Sequence, residues 1–213
     1  WIILGLAILT KGPVAFVIVS LTIILFLFIN KNWKNFLLKI NPVRGIIFTI
    51  LVSLPWYIAE LFKEGQIFWD SFFGYHNIQR YTSVVNNHSE PWWFFIYIMT
   101  IASLPFSVFL FHGIYDTFKE LIVNFRKSEQ TESLYAFSLC WLASIFLFFS
   151  ISATKLPSYW LPAIPAAAIL IAKSADLNIY EIKKNISLRL LTTLIFFGFS
   201  IVFFLSSNWL PLI

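Results

Sequence analysis

Long apolar runs separated by short polar gaps set the pattern of this chain. Residues 1–9 read as the end of a membrane helix, too short to span alone. Thr10-Lys11-Gly12 is a tight turn, and Pro13 is placed to open the next helix. Residues 13–29 are almost wholly apolar and, as a helix, would cover roughly 25 Å, enough for a hydrocarbon core. A basic loop at 30–44 precedes a second span at 45–62, which carries Leu54-Pro55-Trp56-Tyr57 near its far end. The longest polar segment is 63–91, and its stretch 68–73 predicts an amphipathic helix on the membrane surface. A span at 92–112, a charged loop at 113–133 and a span at 134–151 follow. Then come a polar gap at 152–158 and an apolar run at 159–172, where Ala166, Ala167 and Ala168 allow a neighbouring helix to pack closely. Residues 173–187 are basic, and 188–207 form the last span. The pattern predicts an all-α polytopic membrane protein with about six full spans plus a partial N-terminal one.

Composition agrees. Hydrophobic residues make up 59% of the chain and charged residues 12%, against about 25% charged in soluble domains; mean hydropathy is +0.81. The 25 Phe and 9 Trp fit lipid-facing helices and their interfaces. Cys140 is the single cysteine and lies in an apolar run, so an intramolecular disulfide is excluded and a buried, inert thiol is expected. The chain begins at Trp1, already inside a hydrophobic run, with no basic region leading to a cleavage site. It reads as a piece of a longer polytopic protein: one transmembrane unit over 1–213, with an outer-face loop at 63–91.

The net charge of +5 distributes as a topology rather than as a nucleic-acid surface. Lys31, Lys34, Lys39, Arg44, Lys119, Arg126, Lys127, Lys173, Lys183, Lys184 and Arg189 fall in alternate loops, which places those loops in the cytoplasm. The opposite face keeps Lys11, Lys63, Arg80 and Lys155.

With so few cations on the outer face, each needs a reason to be there. Lys11 and Lys155 share a local design: a helix ends, a short gap holds lysine, and proline opens the next helix one or two residues later. A lysine ahead of a helix N-terminus adds its charge to unpaired N–H groups and the positive end of the helix dipole. Two such corners on one side of a bundle suit a phosphate or pyrophosphate carried by a lipid, with the Arg80 fork as a third contact. The plainer alternative is that each lysine snorkels to the interface. Tyr159 follows Lys155 by four residues and would share its face if the helix starts early; otherwise it is an aromatic-belt residue. His76 and His88 lie in one loop with Asp70 and Glu90, in no compact metal-ligand spacing, so interfacial hydrogen bonding is favoured over a divalent metal across the loop. There is no Ser/His/Asp set or phosphate-cradling Gly-rich loop.

The segments Leu9-Thr10-Lys11-Gly12-Pro13, Leu54-Pro55-Trp56-Tyr57, His76-Asn77-Ile78-Gln79-Arg80-Tyr81, His88-Ser89-Glu90-Pro91-Trp92-Trp93 and Lys155-Leu156-Pro157-Ser158-Tyr159-Trp160-Leu161-Pro162 occur in a recognisable order. Through them nearly the whole chain resembles the bacterial aminoarabinose transferase and protein-mannosyltransferase-like group of polytopic glycosyltransferases. The resemblance implies a GT-C-like helical bundle in the bacterial inner membrane, with a site facing the periplasm. It implies transfer of a sugar from a polyprenyl-phosphate carrier to a lipid A-like or protein acceptor. By that resemblance Lys11, Arg80, Lys155 and Tyr159 fall on motif positions facing the carrier phosphate or the sugar cavity. The family's general base, an acidic residue in the first outer loop, would lie upstream of Trp1, so no catalytic residue is assigned here. A C-terminal periplasmic domain would also lie outside the chain, and the piece alone would be inactive. The residues single out no cofactor, and a divalent metal is the open alternative. A transporter or flippase-type subunit binding an anionic substrate is the rival class; it would carry internal repeats and ionisable groups near the bilayer midplane, whereas here the charges sit in loops or at span ends. A purely structural subunit would leave the two Lys-Pro corners unexplained.

Overall fold

The computed structural model describes residues 1–30, 33–85, 89–127 and 134–184, with isolated helical positions at 194, 197, 198 and 201. The described residues are all-helical in architecture. Helix α1 (Ile2–Lys11) leads through the Gly12-Pro13 turn into α2 (Val14–Asn30). Helices α3 (Trp33–Ile40) and α4 (Pro42–Glu64) follow, α4 with a proline at its start and Pro55 inside it. A π-helix (Trp69–Gln79) lies between two single turns, Gln66–Phe68 and Arg80–Thr82. Then come α5 (Phe94–Ala102), α6 (Ser107–Lys127), α7 (Leu134–Ile151), a 3₁₀ helix (Pro157–Ala163) and α8 (Ile164–Lys184).

Helix pairs are held by close approach. Helix α1 lies on α4, where Gly5 faces Val52 and Gly45 faces the Trp1 ring, and a Cβ on either glycine would collide with its neighbour. Trp1 Nε1 donates to the Ile40 carbonyl at 3.0 Å and Tyr57 Oη to the Ile8 carbonyl at 2.7 Å. Helix α6 lies on α8, with Gly113 beneath the Leu170 carbonyl. Two of the three alanines expected to allow close packing, Ala166 and Ala167, are buried. Helix α7 is central: Ala136, Ser138, Leu139, Cys140, Leu142, Ser144, Ile145 and Phe149 are all buried, and Cys140 is the buried free thiol expected. In this apolar setting Ser144 and Thr22 donate their hydroxyls to carbonyls four residues back, which satisfies them without leaving the helix.

Several sequence boundaries change. The stretch 92–112 is not one straight span: α5 and α6 meet at a 117° bend. Pro105 sits in that break; it has no N–H to donate and disfavours helix in the residue before it. Ser107 Oγ bridges back to the Thr100 carbonyl at 2.6 Å. The loop expected at 113–133 is helical through Lys127, and the loop at 30–44 contains α3. Lys173, expected in a basic loop, lies inside α8, buried, where its Nζ pairs with Glu120, donates to Thr117 Oγ1 at 3.2 Å and sits 4.9 Å from the Tyr135 ring centroid. Its charge is spent on helix packing. The amphipathic stretch 68–73 turns Phe68, Phe72 and Phe73 onto Tyr57 of α4, while Trp69 and Asp70 stay exposed. The last span, 188–207, and His88 lie outside the described residues, the four isolated positions excepted.

By length and composition, Lys34–Glu64 and Leu134–Ile151 are each able to cross a membrane, and the bent pair Phe94–Ala102 with Ser107–Phe125 makes up to 3 spans if counted as one. Ile2–Lys11 and Val14–Ile29 are shorter apolar helices.

Candidate functional site

A cavity of about 670 Å³ opens between α1, α2, the π-helix, α7 and the 3₁₀ helix. Its two halves differ in chemistry. One half is polar, with Thr10, Lys11, His76, Asn77, Arg80, Ser152, Ser158 and Tyr159 on its wall. The other is an apolar trough between α2 and α7, walled by Val14, Ile18, Val19 and Ile23 on one side and Phe137 and Trp141 on the other. From Val14 to Ile23, within α2, the helix rise corresponds to roughly 14 Å, so the trough is long as well as apolar. No Asp or Glu is among the lining residues, and two cations are. The wall of the cavity therefore carries an excess of positive charge at one end, with no carboxylate among the lining residues.

Lys11 reaches the polar end because α1 ends beside it. Gly12 follows with φ +72, a left-handed conformation that a residue with a Cβ adopts at a cost. Gly12 is buried, and a Cβ there would lie 3.0 Å from Asn77 Oδ1 and 3.2 Å from the Phe72 ring. The turn can thus sit against the π-helix only as glycine. Asn77 is itself fixed, its Nδ2 donating to the Phe72 carbonyl at 2.6 Å.

Arg80 enters from the C-terminal end of the π-helix. Its guanidinium carbon lies 5.9 Å from the Tyr75 ring centroid. Its Nε is buried and has no hydrogen-bond partner among the described residues. A buried donor on a permanently charged group is costly to leave unpaired, and an anion in the cavity would satisfy it. Tyr159 is half-buried on the same wall and stacks on Phe149 at 4.6 Å. Pro157 opens the 3₁₀ helix that carries it, and Pro162 lies within that helix. The helix predicted after the polar gap is there, but begins as 3₁₀ rather than α.

Lys155 is placed differently. It precedes the 3₁₀ helix, is 7% exposed, and is not on the cavity wall; its Nζ donates to the Ser152 carbonyl at 2.8 Å. It therefore shares neither wall nor helix face with Tyr159. Of the four predicted residues, the cavity gathers Lys11, Arg80 and Tyr159. The stretch 152–155 is knitted to the backbone after the π-helix. Ala153 N donates to the Tyr81 carbonyl at 2.9 Å and Thr154 N to the Arg80 carbonyl at 3.1 Å. Thr154 Oγ1 donates to the Ser83 carbonyl at 2.8 Å and accepts from Val85 N at 3.0 Å.

Sequence reasoning missed this clasp and the cavity's Thr10, Ser152 and Ser158. The one signal for it was the run Ser152-Ala153-Thr154, two hydroxyl residues in a gap between apolar runs. Among the described residues no group of three or more His, Cys, Asp or Glu could hold a metal ion.

No protein-family model matches the chain. Curated relatives do. The chain is 35% identical over 177 residues to undecaprenyl phosphate-alpha-4-amino-4-deoxy-L-arabinose arabinosyl transferase 2 of Pseudomonas fluorescens, covering 80% of this chain and 30% of that protein. It is 33% identical over 179 residues to the corresponding transferase of an Enterobacter species, covering 82% of this chain and 30% of the relative. Among solved structures, the crystal structure of ArnT from Cupriavidus metallidurans bound to undecaprenyl phosphate superposes with a TM-score of 0.65 at 28% identity, over 83% of this chain and 30% of that one. The resemblance to aminoarabinose transferases read from the motifs is thus shown, over a chain that spans about 30% of the length of these relatives.

Proposed function

We propose that the protein to which this chain belongs transfers an aminoarabinose-type sugar from undecaprenyl phosphate to a lipid A-like acceptor, and that the chain holds the carrier side of the reaction. The observation that carries this reading is the two-part cavity. A cationic end contains Lys11 and a buried, unpartnered Arg80 Nε, and an apolar trough leads away from it. An undecaprenyl phosphate has the same two parts, a phosphate and a long hydrocarbon chain. The names of the relatives and the ligand of the solved neighbour point the same way.

In the reaction, an acceptor oxygen attacks the anomeric carbon, the bond from that carbon to the carrier phosphate oxygen breaks, and the electron pair leaves with the phosphate. Lys11 and Arg80 take up the charge that develops on the leaving phosphate. Tyr159 borders the same space and orients the phosphate or the sugar. The carboxylate that deprotonates the acceptor comes, by the resemblance, from a segment N-terminal to this chain. His76 is the imidazole on the wall that could ligate a divalent metal. The chain contributes about six full spans plus a partial N-terminal one to a GT-C-like helical bundle. Its cationic end faces the periplasm, as the distribution of lysines and arginines supports.

The test is sugar transfer by the intact protein in membranes supplied with the undecaprenyl-phosphate-linked sugar. Arg80→Ala is expected to lower transfer by about 10- to 100-fold, as loss of a charge-assisted contact to phosphate would. Transfer at the wild-type rate by folded Arg80→Ala protein would refute the reading.

A further inference from the structure

We infer that Lys155 is a positioning residue, which acts on the carrier phosphate through Arg80 rather than by touching it. The inference rests on the carrier site proposed above. Three observations carry it. Lys155 is off the cavity wall and buried, so its ammonium is not presented to a ligand there. Its Nζ instead donates to the Ser152 carbonyl three residues back, which closes the 152–155 turn on itself. That turn directs the N–H groups of Ala153 and Thr154 onto the carbonyls of Tyr81 and Arg80, and its Thr154 hydroxyl onto Ser83 and Val85.

The root of Arg80 is thus held from its own carbonyl outward. Arg80 caps the C-terminal end of the π-helix and opens the single turn Arg80–Thr82, so its backbone sits at a junction of two helical geometries. The guanidinium is long, and its Nε has no partner among the described residues. Its aim into the cavity depends on where its backbone is fixed. An anion-binding group displaced by about 1 Å loses much of its effect. The lysine charge has a local use as well: it polarises the Ser152 carbonyl, whose residue lines the cavity.

The test is a double-mutant cycle on binding of undecaprenyl phosphate to the intact, detergent-solubilised protein. Lys155→Met keeps the stem and removes the donor. It is expected to weaken binding about tenfold, and Arg80→Ala about thirtyfold. The combined variant is expected to match Arg80→Ala alone, since Lys155 then has nothing left to position. Lys155→Met combined with Lys11→Met should multiply, because those two act separately. Losses that multiply between Lys155 and Arg80, to about 300-fold, would make Lys155 an independent ligand or a general stabiliser and overturn the inference. Unchanged binding in Lys155→Met would overturn it too. If Arg80→Ala binds like the wild type, the carrier site itself is wrong and the inference falls with it. Should Lys155→Met fail to fold, Thr154→Val decides. It breaks the clasp from the other side, and its loss must likewise vanish in the Arg80→Ala background; a loss that persists there overturns the inference.

Discussion

The Lys11 and Lys155 corners have the same local grammar: an ended helix, a lysine, a proline and a new helix. They end in opposite places. Lys11 is exposed on the wall of the cavity, whereas Lys155 is buried with its ammonium on a backbone carbonyl. What differs is the partner across the corner. The Gly12 turn abuts the π-helix through a glycine with no side chain to hold Lys11 back. The 152–155 turn meets the backbone of 80–85 and exchanges hydrogen bonds with it through Ser152 Oγ, Ala153 N, Thr154 N and both roles of the Thr154 hydroxyl. Local sequence places a cation near a helix start; the neighbouring segment decides whether that cation faces a ligand or the protein.

The comparison can be broken in several ways. The largest effect is expected at Gly12. Gly12→Ala places a Cβ at φ +72 and 3.0 Å from Asn77 Oδ1, which should cost about 1–3 kcal/mol of stability and also displace Lys11. Thermal unfolding and carrier binding should fall together; a wild-type profile in both would show that the turn relaxes freely. Next, Lys155→Met should lower stability by about 1.5–3 kcal/mol, the range for a hydrogen bond to a charged group. Lys11→Met should stay within about 0.5 kcal/mol of wild type in unfolding, as exposed substitutions do, while weakening carrier binding. Equal unfolding curves for the two lysine variants would erase the distinction drawn here. The smallest effect concerns salt. Carrier binding by the wild type should weaken as ionic strength rises, because Lys11 is exposed and screened. The slope should flatten in Lys11→Met and stay unchanged in Lys155→Met; flattening in both would make both lysines direct ligands.

Much of this was readable from the pattern of residues. The apolar runs of α2, α4 and α7, the glycine-proline turn at Gly12-Pro13, the helix start at Pro157 and the buried Cys140 all follow from rules of composition and local geometry. Lys11, Arg80 and Tyr159 were also picked out before their common cavity was visible. What escaped depended on contacts distant in sequence. The clasp joins residues about seventy positions apart, with Val85 N and Thr154 Oγ1 separated by 69. Nothing near either end announces it. The pattern makes Lys173 a loop charge, because a lysine after an apolar run ordinarily marks a helix end. Its partners Glu120 and Thr117 lie on another helix, and the ion pair lets α8 run on. The bend at Pro105 was in principle legible, but the apolar run across it hid the break.

The most direct check is a structure of the intact protein with undecaprenyl phosphate bound. The account predicts phosphate oxygens at charge-assisted hydrogen-bond distance, about 2.7–2.9 Å, from the Arg80 guanidinium and from Lys11 Nζ. The lipid chain should lie between Val19 and Trp141, and Lys155 Nζ should remain on the Ser152 carbonyl. A phosphate held by Lys155, or bound outside the α2–α7 trough, would contradict it.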